Sequence, residues 1–172
     1  VIGTGDDLLA EVEFFTSVSE EINDYWRNAG ETYTRHTEGR FCDEEGYLRE
    51  VRLVLNKLQK ETSTQASDYD KVVLVAQNAK LQGKMAAKFG MAPERRVDTL
   101  LANVGDTGAA QALIGIVNAL ESAQAGDRIL VVDYGSGANA MVLRVTENIG
   151  RIAGDRQIQR YLDARAELDS YV

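Results

Sequence analysis

The sequence is short of several things that would each carry a class of function. It holds one cysteine, Cys42, so no disulfide can close within it, and its cysteine usage does not point to an oxidising compartment. Basic residues are outnumbered: 19 Lys and Arg stand against 27 Asp and Glu, a formal net charge of -8. A general binder of nucleic-acid backbones needs a basic face to release counterions, so that class is excluded. A few local Lys or Arg side chains can still hold a small anion. No apolar run approaches the roughly 18–20 residues of a membrane-spanning helix. The longest, around residues 113–120 and 129–133, are core-sized. No basic segment followed by an apolar one opens the chain, which makes the cytoplasm the expected location. There is also no initiator Met. Val1-Ile2 reads as the tail of a strand, the expectation for a piece of a longer polypeptide.

What is present is the mix of a globular domain. Of 172 residues, 44% are hydrophobic and 27% charged, enough for one core of ordinary size. Gly3 and Gly5 fall short of a phosphate loop, because the third glycine and the following helix pattern are missing. A strand is expected across Leu8 to Phe15. Residues 17–41, which carry Trp26 and His36, are polar and weakly periodic and read as an irregular surface excursion.

From Asp43 the pattern sharpens. Tyr47, Leu48, Val51, Val54, Leu55 and Leu58 recur at spacings of three and four, which predicts one face of an amphipathic helix. Asp43, Glu44 and Glu45 crowd its expected first turn, where the helix dipole favours negative charge, a simpler account than a metal cluster. Lys71–Ala76 is a short apolar run that predicts a strand buried on both faces. Asn78 then caps a helix through Leu81, Met85, Ala86 and Phe89, closed by Gly90. Asp106 or Thr107 caps the next helix. Its apolar residues, from Ala109 to Leu120, cover nearly the whole circumference, so burial on most sides is expected. Arg128–Tyr134 is the strongest strand pattern. A turn over Gly135–Asn139 leads to a second strand, Ala140–Thr146, as its hairpin partner. Ile158, Tyr161, Leu162 and Leu168 allow the tail, residues 151–172, to dock on a domain of residues 1–150. The sum is an α/β fold with a mixed sheet and layered helices.

Three segments carry a resemblance. They are Ile22-Asn-Asp-Tyr-Trp-Arg27 with Gly39-Arg-Phe41 and Tyr47; Asp70-Lys-Val-Val-Leu-Val-Ala-Gln-Asn-Ala-Lys80 with Lys88-Phe-Gly90; and Asn103-Val-Gly-Asp-Thr-Gly-Ala-Ala110 with residues 125–138, Ala-Gly-Asp-Arg-Ile-Leu-Val-Val-Asp-Tyr-Gly-Ser-Gly-Ala. In this order they resemble the C-terminal half of an archaeal-type hydroxymethylglutaryl-CoA synthase, in the thiolase superfamily. The resemblance implies a thiolase-like half-fold. It also implies a condensation of acetyl-CoA with acetoacetyl-CoA through an acyl-cysteine that belongs to an absent N-terminal half. Cys42 does not match that nucleophile and reads as a structural or incidental thiol.

The resemblance also implies a catalytic His after the strand at residues 71–74, where this sequence has Val75 or, shifted by one, Ala76. The family's active-site Asn matches Asp106, the residue left in the catalytic position. An ionised Asp offers no N–H donor and would repel an enolate. Burial could instead make Asp106 an acid or base for another CoA ester. Asn78, Lys80 and Lys84 match the region that meets CoA, and Tyr134, Gly135, Ser136 and Gly137 match the turn that lines the reaction centre. Each also has a plainer reading: a helix cap, solvated lysines one turn apart, and glycines useful in any tight hairpin. The implied ligand is an acyl-CoA thioester, with no cofactor and no metal. The implied assembly is a homo-oligomer, or a hetero-oligomer with a thiolase-like half. The alternative is a non-catalytic scaffold that pairs with an active homologue or an OB-fold partner.

Overall fold

The computed structural model describes residues 2–152, 154 and 157–166; Leu168 of the expected tail lies outside them. Four strands form one mixed sheet in the order β1-β6-β5-β4, where β1 is Ala10–Val18, β4 Lys71–Leu74, β5 Arg128–Tyr134 and β6 Ala138–Val145. β1, β6 and β5 run antiparallel in sequence, and β4 lies parallel to β5. Beyond β4 the ladder continues for one bridge, as Val97 N–H donates to Val72 O at 2.9 Å. The β5–β6 hairpin is the predicted one, with the second strand starting two residues earlier. The 17–41 excursion is partly ordered: β1 runs on to Val18, and β2 (Tyr25–Trp26) pairs with β3 (Arg35–His36) in a small ribbon.

Each face of the sheet takes one long helix. On one face α2 (Arg49–Thr62) buries Val51, Val54, Leu55 and Leu58 against Val72, Leu74, Leu130, Val132 and Val142. Burial of each such side chain contributes about 1.5–3 kcal/mol. On the other face α5 (Ala110–Leu120) covers Val73, Val75, Ile129 and Val131. A Cβ on Gly115 would run into Val73 Cγ1, so this glycine sets how closely α5 approaches β4.

Two helix expectations are corrected. The helix before α2 begins earlier, with α1 (Gly39–Phe41) capped by Glu38, whose carboxylate accepts from Arg40 N at 3.1 Å and Phe41 N at 2.8 Å. Asp43–Glu45 therefore sit one turn in, within a π-helical stretch from Cys42 to Leu48, and the N-terminal dipole is met by Glu38. The second correction concerns α5. It is not buried on most sides: Leu113 is 55% and Val117 43% exposed, because no layer of the described residues covers its outer face.

α3 (Ala79–Lys88) starts as expected, with Asn78 Oδ1 accepting from Leu81 N at 3.0 Å. α4 (Leu101–Val104) leads into the loop before α5. That loop is tied by buried Gln111, whose Oε1 accepts from Thr107 N at 3.1 Å and Thr107 Oγ at 2.8 Å, while its amide donates to Thr99 O. In the last described stretch, α6 (Gln157–Asp163), Ile158 N–H donates to Glu121 Oε1 at 2.8 Å.

Candidate functional site

Parallel strands leave a crevice at their carboxyl ends, and loops that follow them converge there. In this chain the parallel pair is β4–β5, and a cleft of about 400 Å³ opens beyond it. Val75 and Ala76 form its floor. Asp106, Gly108 and Ala109, ahead of α5, bound one side, and Asp133 to Ser136 bound another. Residues 22–25 and Tyr47 close the third side.

Of the residues singled out in the sequence, Asp106, Tyr134, Gly135 and Ser136 come together on this cleft. Gly137 lies just behind them in the β5–β6 turn, at φ +110°, where a Cβ would strike Val18 O. Ser136 holds φ +48°, a backbone conformation that costs a non-glycine residue energy and so exposes a constrained hydroxyl at the rim. Asn78, Lys80 and Lys84 are not among the lining residues. They occupy the start of α3, where Asn78 caps the helix and Lys84 Nζ reaches Glu44 Oε1 at 3.4 Å. Asp106 is exposed rather than buried, and its Oδ1 accepts from Gly108 N at 2.8 Å.

Several residues on the cleft were not picked out in the sequence. Tyr134 O–H donates to Asp24 Oδ2 at 2.7 Å, which ties the turn to the excursion. Its ring meets Tyr47 edge-on, with centroids 5.6 Å apart. Gly46, in the π-helical stretch, makes this possible, since a Cβ there would collide with the Tyr134 hydroxyl. Burial pushes both phenols far above the ordinary tyrosine value, and the Asp24 carboxylate adds to the effect on Tyr134. Tyr47 Oη, Asp24 Oδ1 and Glu50 Oε2 are buried with no hydrogen-bond partner among the described residues. Burial, with Asp24 nearby, also pushes the Cys42 thiol up, opposite to the lowered pKa of activated thiols.

Asp133 is the other unforeseen residue. It is the penultimate residue of β5, and burial pushes its carboxyl up, against a hydrogen bond from Tyr134 N–H that pulls it down. A lone carboxyl at the carboxyl end of such a strand was a signal in the sequence. Asp24 gave none, because it lies in the weakly patterned excursion. His36 stands apart on β3, and no His or Cys lines the cleft among the described residues.

The family model for the C-terminal domain of 3-oxoacyl-[acyl-carrier-protein (ACP)] synthase III matches residues 59–145. A hydroxymethylglutaryl-CoA synthase of Methanopyrus kandleri is 35% identical over 162 residues, covering 92% of this chain and 46% of that protein. A crystal structure of an HMG-CoA synthase complexed with CoA superimposes with a TM-score of 0.75 at 19% identity, over 92% of this chain and 45% of its own. The HMG synthase of the curacin biosynthetic pathway, in complex with an acetyl donor-ACP, gives 0.76 at 16% identity, over 93% and 44%. The two structures establish a thiolase-like fold, and the sequence relative bears out the resemblance to the C-terminal half of a hydroxymethylglutaryl-CoA synthase. The chain spans about half the length of the curated relatives it matches.

Proposed function

The chain belongs to the 3-oxoacyl-[acyl-carrier-protein (ACP)] synthase III C-terminal family, and we propose that it forms the acyl-CoA wall of a hydroxymethylglutaryl-CoA-synthase-like acyltransferase. In that reading it takes part in condensing acetyl-CoA with acetoacetyl-CoA and is inactive alone. One observation carries it: the cleft gathers the Tyr134–Ser136 turn and the loop ahead of α5, yet its described lining holds no thiol or imidazole. The nucleophile would come from a second half, seated on the face where Leu113 and Val117 are exposed. That the relatives are about twice as long as this chain supports the assignment of that occupant.

Each residue then has a share of the work. In the 135–137 turn Gly135 N–H donates to Gly137 O at 2.9 Å, the N–H groups that follow it turn toward the thioester, and the Asp24–Tyr134 bond holds the turn in place. Lys80 and Lys84, together with Asn78, are assigned to the phosphates and pantetheine arm of CoA. Asp106 holds the catalytic position. The ligand is a CoA thioester, with no cofactor. Residues 1–150 act as the domain and 151–172 as a docked tail, in a dimeric cytoplasmic enzyme.

The test is a condensation assay with acetyl-CoA and acetoacetyl-CoA, on the chain alone and joined to a cysteine-bearing half. The chain alone should give no product and the joined polypeptide should. Turnover by the isolated chain would overturn the reading.

A second reading is favoured by the apolar floor. Val75 and Ala76, with an exposed carboxylate at Asp106, suit a non-catalytic subunit that pairs with an active homologue or presents a surface to an OB-fold protein. Restoring V75H and D106N in the complete polypeptide separates the two. A large gain in condensation rate supports a synthase with a weakened site, whereas no gain, with a stable hetero-complex, supports the scaffold.

A further inference from the structure

The polar groups around the cleft are unevenly committed. Tyr134 O–H is spent on Asp24, and Asp106 accepts from Gly108 N–H. Tyr47 lies on the α2 face of the sheet, with its ring packed in that core. Asp133 differs from all of them. Side chains alternate along β5, so Asp133 shares the α5 face with Ile129 and Val131. Val72 to Leu74 pair with Leu130 to Val132, and Val75 N–H donates to Val132 O at 2.9 Å. Continuing that register one step sets Asp133 beside Val75 on the cleft floor. Its neighbour on the other side, across β6, is Asn139. The N-terminal residues ahead of α5, Gly108 and Ala109, line the same space.

We propose that Asp133 is the residue that meets the acyl oxygen of a bound thioester, its carboxylic O–H donating a hydrogen bond to that oxygen. The inference rests on the reading of the cleft as an acyl-CoA site. A carboxyl in this position helps only as the neutral acid, because a carboxylate has no proton to donate and would repel the carbonyl oxygen. An apolar setting can keep a carboxylic acid neutral near pH 7 for this purpose. Here Val75 and Ala76 supply that setting, and burial already drives Asp133 upward.

Asp133 shares the cleft lining with several other titratable groups. They are Asp106 from the loop ahead of α5, Asp24 and Tyr25 from the excursion, Tyr47 from the π-helical stretch and Tyr134 from β5. The chain just past β4 presents Val75 and β6 presents Asn139, neither of them titratable. No Lys or Arg lines the cleft among the described residues, so no cation there favours the ionised form.

The experiment compares two probes on the full natural polypeptide. Acetonyl-CoA carries a carbonyl oxygen and cannot acylate the protein, and S-propyl-CoA lacks that oxygen. The wild type should bind acetonyl-CoA about tenfold more tightly or better, an advantage that fades as pH rises through the Asp133 midpoint. D133N keeps a donor that cannot ionise, so its advantage should persist and be flat with pH. D133V should lose the advantage while binding S-propyl-CoA normally. An undiminished advantage in D133V, or an unchanged pH dependence in D133N, overturns the proposal. If neither probe binds the wild type, the acyl-CoA reading itself fails. Carboxyl carbon NMR then decides the state of Asp133 without any ligand. A midpoint well above the ordinary aspartate value of about 4 supports a neutral donor, and one at or below it rules the donor out.

Discussion

The two faces of the sheet are built from the same parts and finished differently. On one, α2 lays Val51, Val54, Leu55 and Leu58 onto the strands, and all four are at most 2% exposed. On the other, α5 meets β4 through Gly115, yet it leaves Leu113 and Val117 about half exposed. α2 is apolar on one side and charged on the other, so its sequence describes a helix with one neighbour. α5 is apolar on nearly every side, so its sequence describes a helix with two. No second neighbour covers it among the described residues, and under the proposed reading that neighbour is a second half of a longer polypeptide.

That contrast can be broken by substitution. Leu58→Ala should cost the largest amount, about 2–5 kcal/mol, because it empties a fully buried site. Leu113→Ala should change the stability of this chain by less than about 0.5 kcal/mol. Urea denaturation of both variants gives the comparison directly, and equal losses would mean that both faces are already closed. Under the proposed reading, the Leu113 variant should instead weaken association with a second half. Next comes Gly115→Ala, expected to cost about 1–3 kcal/mol through the clash with Val73, with the better helix propensity of alanine returning part of it. The same denaturation curve measures it.

Tyr134→Phe should cost about 1–2 kcal/mol, since it strands the Asp24 carboxylate with neither oxygen paired. Gly46→Ala should mimic it, because the added methyl displaces the same hydroxyl. If Gly46→Ala leaves the Tyr134–Asp24 bond intact by NMR, the account of the π-helical stretch is wrong.

The smallest effect concerns pH. Burial, then the neighbouring Glu20 carboxylate, raises the Glu50 pKa, although Arg49 pairs with it at 2.7 Å. A raised native value means the folded state holds this proton at a pH where the unfolded chain has released it. Stability from this group therefore falls as pH rises from about 4.3, the unfolded value, through the native pKa. Glu50→Gln should flatten that part of a stability profile measured from pH 4 upward. A slope unchanged by the substitution would assign it to another group.

The fold was largely legible because its core elements repeat cleanly. The three-and-four spacing around Val51 to Leu58, the apolar runs at 71–76 and 128–134, and the Asn78 cap all lie where local chemistry dominates. The wide apolar girth of α5 was legible too, but its second neighbour was not. A lone sequence carries periodicity, not the identity of the surface that covers it. The cleft was half legible. Asp106 and the Tyr134–Ser136 turn could be placed because glycines and strand ends punctuate them. Asp24 and Gly46 could not, since their roles arise from contacts across 110 residues of chain and from a glycine inside a helix. The helix start was misplaced for a related reason. Glu38 does the capping, and the acidic run that looked like a first turn continues inside the π-helical stretch.

The central claim is that this chain supplies one wall of a two-half acyltransferase site and that the acyl-accepting nucleophile lies outside residues 1–172. The direct measurement is the intact mass of the natural full-length product, before and after incubation with acetyl-CoA, followed by peptide mapping. The account predicts a product well heavier than the 18.9 kDa of this chain, with a hydroxylamine-labile acetyl group on a residue outside it. An acetyl group on Cys42, or a product of 18.9 kDa that takes up none, would contradict it.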